Sequence, residues 1–140
     1  MNRLNFGRIL LGGLVAGIIL NLGEFVLNGI ILAPHIEADM KRMNIKPPGA
    51  GFGLLAVTLT FVFGILAVLL YALMRARLGP GPKTALATAL IVWFCVYAYS
   101  GTINMLLINV PPQLILMILG WGIVEHTLGI LAGAALYREA

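Results

Sequence analysis

The chain has 140 residues, of which 61% are hydrophobic and only 10% charged, and its formal net charge is +4. An apolar share this far above the ~45–50% of soluble domains excludes an ordinary water-soluble globule. The nine Lys and Arg residues form no basic cluster interleaved with aromatics, which excludes nucleic acid and leaves the lipid bilayer as the expected partner.

Four apolar runs, 9–32, 52–74, 85–108 and 114–137, are 23 or 24 residues long. At ~1.5 Å per residue each reaches about 35 Å, enough to cross a ~30 Å hydrocarbon core with some tilt. The expected fold is therefore an all-α integral membrane protein, a single antiparallel bundle of four transmembrane helices. The first run is too long for a signal peptide and has no small-residue cleavage site before Asn21 and Glu24, so it is expected to remain as the first span.

Helix 1 carries Gly13, Gly17, Asn21, Glu24 and Asn28 at spacings of 4, 4, 3 and 4, which place them on one α-helical face. Gly13 and Gly17 form a GxxxG step that permits close backbone approach. Glu24 is an ionisable group inside an apolar span, and such a residue is a functional-site hypothesis by default.

Residues 33–51 form the one long connection. Within it Ile36, Met40 and Met43 recur at i, i+4, i+7 among Glu37, Asp39, Lys41 and Arg42, the pattern of a short amphipathic helix in the headgroup region. Pro47-Pro48-Gly49 and Pro111-Pro112 precede helices 2 and 4, where a missing N–H costs nothing. The break between helices 2 and 3 is Leu78-Gly79-Pro80-Gly81-Pro82.

Helix 3 places Tyr97, Ser100 and Asn104 at spacings of 3 and 4, again one α-helical face. The single Cys95 cannot form an intrachain disulfide and reads as a buried apolar filler. Helix 4 repeats the pattern of helix 1 with Gly122, Glu125, Gly129 and Gly133 on one face and His126 beside it. Helices 1 and 4 are thus expected to pack through their small residues, with both glutamates at the contact. Trp121 lies too deep for an interfacial anchor and is expected to form a helix contact or pocket wall.

Counting inward from the outer helix ends puts Asn28 and Asn104 ~6 Å deep, Glu24 and Ser100 ~12 Å, and Asn21, Tyr97 and Glu125 ~16 Å. These residues are expected to line one outward-facing pocket with His126 at its edge, within reach of Glu24. Mutual repulsion and burial leave at least one carboxyl protonated near neutral pH. Glu24, Glu125 and His126 are also the only candidates for metal ligation, but the Glu-x-x-His spacing of di-iron bundles is absent and no metal is expected. No Ser-His-Asp set, phosphate loop or CxxC is present, and no cofactor is expected.

Lys and Arg residues divide six (Arg3, Arg8, Arg75, Arg77, Lys83, Arg138) to three (Lys41, Arg42, Lys46) between the two sides. The positive-inside rule then places both termini in the cytoplasm. The layout is similar to that of small bacterial inner-membrane proteins. A glutamate in the first of four helices also resembles the small multidrug-resistance transporters, but the flanking Asn21-Leu22-Gly23-Glu24-Phe25 is not their pattern, and no residue role transfers.

Three functions fit these features. The foremost is binding or transport of a proton, cation or small polar solute at the Glu/Asn/His site, with a homodimer completing the path. The second is a non-catalytic subunit or assembly factor of a larger membrane complex. The third is a membrane-embedded enzyme on a lipid or quinone-like substrate, with Glu and His as acid and base.

Overall fold

A computed structural model describes residues 4–139; Asn2 and Arg3 lie outside the described residues, so the structure adds nothing on Arg3's share in the charge asymmetry. Four helices are long and apolar enough to cross a membrane: α1 (Phe6–Ile31), α3 (Gly51–Leu78), α4 (Pro82–Leu107) and α5 (Pro112–Leu136). The amphipathic segment of the long connection forms α2 (Ala33–Arg42), following α1 after one residue. The chain is a multi-pass membrane protein. Its outer surface fits lipid, with Leu54 75% and Leu116 70% exposed in an otherwise packed bundle.

The four long helices are antiparallel, and α1 and α4 each lie between α3 and α5. Both described chain ends and the α3–α4 turn share one end of the bundle, here the terminal end. The α1–α3 and α4–α5 connections share the other, here the α2 end. At the terminal end the core joins Ile9, Ala16, Val68, Tyr71, Ala85 and Tyr137, and at the α2 end it joins Leu27, Leu32 and Tyr97.

Glycine sets how closely α1 approaches its neighbours. A Cβ on Gly12 would meet the Gly133 carbonyl of α5, and one on Gly133 would meet the Gly12 carbonyl at 2.7 Å. Gly129 lies against Ala16 and Leu20. One residue further round α1, Gly13 and Gly17 face α3 instead, where they meet Ile65, Phe61 and Gly64. The expected α1–α5 contact is present, then, but its α1 side is Gly12, Ala16 and Leu20. Gly13 and Gly17 serve the α1–α3 contact, because residues adjacent on a helix point ~100° apart and α1 has two neighbours.

Two stretches depart from α geometry. Phe25–Ile31 at the end of α1 and Phe94–Gly101 within α4 are π-helical. Leu32 N–H bonds the Leu27 carbonyl at 2.7 Å, and Thr102 N–H reaches back to Tyr97, both five residues upstream. Cys95 lies in the second stretch and is exposed, not buried. Its neighbours Phe94 and Val96 are exposed too, and a thiol on an apolar outer face costs little.

Leucine at Gly133 has to displace backbone, so Gly133→Leu is expected to destabilise the bundle by at least ~1–3 kcal/mol in thermal unfolding in detergent. Gly120→Leu is the control, since open space surrounds that position. A Gly133→Leu protein as stable as Gly120→Leu contradicts the close α1–α5 contact.

Candidate functional site

The polar residues of the apolar spans meet where the glycine-tight half of the bundle gives way to the wider α2 end. Glu24, the last α-helical residue before the first π stretch, accepts two side-chain hydrogen bonds. Tyr97 O–H donates across from α4 to Oε1 at 2.6 Å, and Asn28 Nδ2–H donates to Oε2 at 2.5 Å from one turn along α1. Both distances are at the short end of the range for side-chain hydrogen bonds. Glu24 is half-buried, whereas Glu125 on α5 is only 5% exposed. Trp121 Nε1–H donates to Glu125 Oε2 at 2.8 Å, and Glu125 Oε1 is buried with no hydrogen-bond partner.

Two glycines make room for these groups. A Cβ on Gly23 would run into the Glu125 carboxylate, so α1 presents bare backbone where α5 inserts its acid. A Cβ on Gly122 would meet the Tyr97 ring at 2.7 Å. Gly122 therefore serves the approach of α4 to α5 and not, as its place in the glycine stripe suggests, the approach of α1. Gly23 was missed by the sequence reading, which sought four-residue glycine steps; only its position beside Glu24 signals it.

His126 is 2% exposed, and its Nδ1 lies 2.9 Å from the Gly122 carbonyl. A carbonyl can only accept, so Nδ1 carries a proton, and Nε2 is the acceptor whenever the ring is neutral. The ring stands edge-on to Phe63 and Tyr97, with centroids 5.5 and 5.2 Å away. It makes no bond to Glu24. His126 and Glu24 instead face a common cavity.

That inner chamber, of about 320 Å³, is lined by Leu20 and Glu24 of α1, Thr60 and Phe63 of α3, Val96 of α4, and Glu125 and His126 of α5. Glu24 also borders two spaces toward the α2 end. One, of about 270 Å³, lies beneath α2 and includes His35, Asp39, Asn28 and Tyr97. The other, of about 720 Å³, is a mostly apolar groove between α1 and α3 with Asn21, Asn28 and Phe52 in its walls. Asn21 ties the helices at the base of that groove, donating to Gly17 O at 2.9 Å and Val57 O at 3.4 Å.

Ser100 and Asn104 are not part of this arrangement. Both are exposed on α4, Asn104 Nδ2 donates to the Ser100 carbonyl at 2.8 Å, and neither lines the spaces around the glutamates. The cause is the π stretch: its wider turn needs more residues to come back to one face, so a spacing of three and four no longer keeps Ser100 and Asn104 with Tyr97. No group of three His, Cys, Asp or Glu side chains converges among the described residues.

Over the site, α2 is held by side chains. Arg42 donates to the Ile108 carbonyl at the end of α4 at 2.7 Å and pairs with Asp39 at 2.9 Å. Lys41 and Glu37 pair at 2.8 Å on its exposed face. Their hydrogen bond and mutual attraction hold the Glu37 carboxyl below, and the Lys41 ammonium above, their ordinary values. Such a solvated pair contributes little to the fold.

No protein-family model, curated protein or solved structure matches the chain.

Removing the phenol donor to Glu24 isolates the α1–α4 bond. Tyr97→Phe is expected to lower stability by about 1–3 kcal/mol, the cost of leaving the Glu24 oxygen without its donor. Ser100→Ala, on the exposed face, should be neutral. Equal unfolding midpoints for the two variants would show that the Tyr97–Glu24 bond contributes nothing.

Proposed function

We propose that the chain binds a proton, a cation or a small polar solute at the Glu24–Glu125 site and passes it across the membrane. The observation that carries this reading is Glu125 Oε1, an acceptor buried with no donor beside a chamber large enough for a small solute. A buried polar atom left unmatched in an otherwise satisfied site calls for an explanation, and an incoming N–H, O–H or cation supplies one. Three features agree with it. Glu24 borders the inner chamber and both spaces toward α2, His126 offers a second acceptor in the same chamber, and π-helical turns flank Glu24 and contain Tyr97, as they often do at functional sites.

In this reading the α2 end faces outward and both termini lie in the cytoplasm of a bacterial inner (plasma) membrane, as the Lys and Arg asymmetry implies. On a Cys95→Ser background, a cysteine at Lys41 should react with an impermeant thiol reagent added outside. One at Arg77 should not. The reverse pattern inverts the topology.

One observation favours a second reading, a subunit of a larger membrane assembly. Ser100 and Asn104 present polar groups on the outward face of α4, about 10 Å or less from its end at Leu107, where a second copy or another membrane subunit satisfies them better than lipid. Purification in mild detergent distinguishes the two. A single-component species supports the transport reading, and a stoichiometric second protein supports the subunit reading.

The transport reading is tested in liposomes enclosing a pH-sensitive dye, with candidate amines and metal cations added outside. Glu125→Gln should fold like wild type and lower the response about tenfold or more, because an amide neither exchanges a proton nor pairs with a cation. Glu24→Gln should do the same. Wild-type response in both variants, or a response no greater than in empty liposomes for the wild-type protein, rejects it.

A further inference from the structure

Three buried side-chain atoms among the described residues lack a hydrogen-bond partner, and two lie together at the opposite end of the bundle from the glutamates. They are Arg75 Nε of α3 and the hydroxyl of Tyr137, the residue that closes α5. Tyr137 is 3% exposed and lines, with Arg75, Tyr71, Gly81, Pro82 and Ala85, a cavity of about 330 Å³. Arg75 Nε–H can only donate, and the Tyr137 hydroxyl can donate as well as accept, so a single acceptor group would match both, the opposite of the deficit beside Glu125.

The surrounding groups point the same way. Arg75 stands over the Tyr137 ring, with Cζ 5.5 Å from its centroid, and Nη1–H donates weakly to the Tyr137 carbonyl at 3.4 Å. Tyr71 packs edge-on to Tyr137 at 6.1 Å, and its hydroxyl oxygen accepts from Gly81 N–H at 3.3 Å, which leaves its own proton to donate. Gly81 and Pro82 form one wall where α4 begins, and the helix dipole adds a partial positive charge there. Arg8, Arg77, Lys83 and Arg138 lie at the same end, so the local field is positive.

One anion is already near. Glu139 Oε1 approaches Arg75 Nε at 3.2 Å, an ion pair that falls short of hydrogen-bond geometry and does not reach the Tyr137 hydroxyl. A phosphate group brings several acceptor oxygens and matches a guanidinium in paired fashion, so it can satisfy Arg75 and a phenol together where one carboxylate does not.

We infer that the cavity between Tyr71, Arg75 and Tyr137 is a binding site for a phosphate group whose negative charge no attached cation offsets. The same chemistry is offered by an anionic phospholipid headgroup, at whose level this end of a spanning bundle lies, and by free inorganic phosphate. Glu139 acts there as a built-in competitor. This inference is independent of the transport reading and stands or falls separately.

The test uses the full chain purified in uncharged detergent and follows its thermal midpoint with added phosphatidylglycerol, phosphatidylcholine or inorganic phosphate. At saturation phosphatidylglycerol should raise the wild-type midpoint on the order of 5 °C while phosphatidylcholine leaves it unchanged. A rise with inorganic phosphate as well assigns the site to the free anion; no rise with it assigns the site to the lipid. Tyr137→Phe keeps the ring stack and removes only an unmatched hydroxyl, so without phosphate it should be as stable as wild type. With it, the variant should lose at least half of the rise. Glu139→Gln removes the competitor and should shift the response to lower phosphate or phosphatidylglycerol concentration. The inference is overturned by equal rises in wild type and Tyr137→Phe, by an equal rise with phosphatidylcholine, or by no rise with either phosphate source.

Discussion

A carboxylate oxygen that leaves water for the interior of an apolar bundle has to find a donor or a cation there, or take up a proton, to offset its lost hydration. The four oxygens of Glu24 and Glu125 have three donors among them, Tyr97, Asn28 and Trp121. Much of the architecture around the site follows from bringing those donors within reach. Tyr97 crosses from α4 because Gly122 gives its ring a place against α5. Glu125 reaches α1 because Gly23 has no side chain in the way. Trp121 and Asn28 come from one turn away on the same helices as the acids they serve, at the i, i+4 spacing that brings side chains together.

The bundle can hold this cluster only because it is packed unevenly along its length. Toward the terminal end, Gly12, Gly13, Gly17, Gly64 and Gly133 let α1 meet α5 and α3 almost backbone to backbone, and van der Waals contact replaces the hydrophobic drive that lipid removes. Toward the α2 end the glycines no longer bring α1 and α3 into backbone contact, Gly53 facing open space, Phe25 and Phe52 border the gap, and the helices part around Glu24. A uniformly tight bundle would have no chamber, and a uniformly open one would flood the acids with lipid or water. The π-helical stretches begin at this transition, where the wider turn carries Tyr97 inward while Phe94 and Cys95 stay outside.

Which parts of this were legible in the sequence depends on how local their causes are. The four spans were, since length and hydropathy set them residue by residue. So was α2, because Ile36, Met40 and Met43 carry its period. That Glu24 and Glu125 lie close in the bundle was expected from their two stripes, although the contact between α1 and α5 runs through other glycines. Gly12 and Gly13 are adjacent, and nothing local states which neighbour each one faces; that is decided by the order of helices around the bundle. Ser100 and Asn104 were assigned to the wrong face because α-helical spacing was assumed through a segment that is π-helical. The bulky run Phe94-Cys95-Val96-Tyr97 carries no sequence mark for that change. Arg75 and Tyr137 are 62 positions apart, and in the sequence the first enters only the charge asymmetry and the second only ends an apolar run. Only tertiary packing stacks them.

The two ends of the bundle are therefore electrostatic opposites in a specific atomic sense. Near Glu125 the unmatched atom is a carboxyl oxygen, and near Tyr137 the unmatched atoms are a guanidinium N–H and a hydroxyl that one acceptor group can match. In water such mismatches would be erased by solvent at little cost. Within or at the edge of hydrocarbon they persist until a group of complementary chemistry arrives, so each end selects for an occupant of one sign. The glycine-sealed segment between them, centred on the Gly12–Gly133 and Gly13–Gly64 contacts, has no room for that occupant to slip through without the helices moving apart. On the transport reading, a solute moving between α1 and its neighbours would have to part α1 from α3 or α5 at those glycines, so contacts that stabilise the fold would also oppose passage along that route.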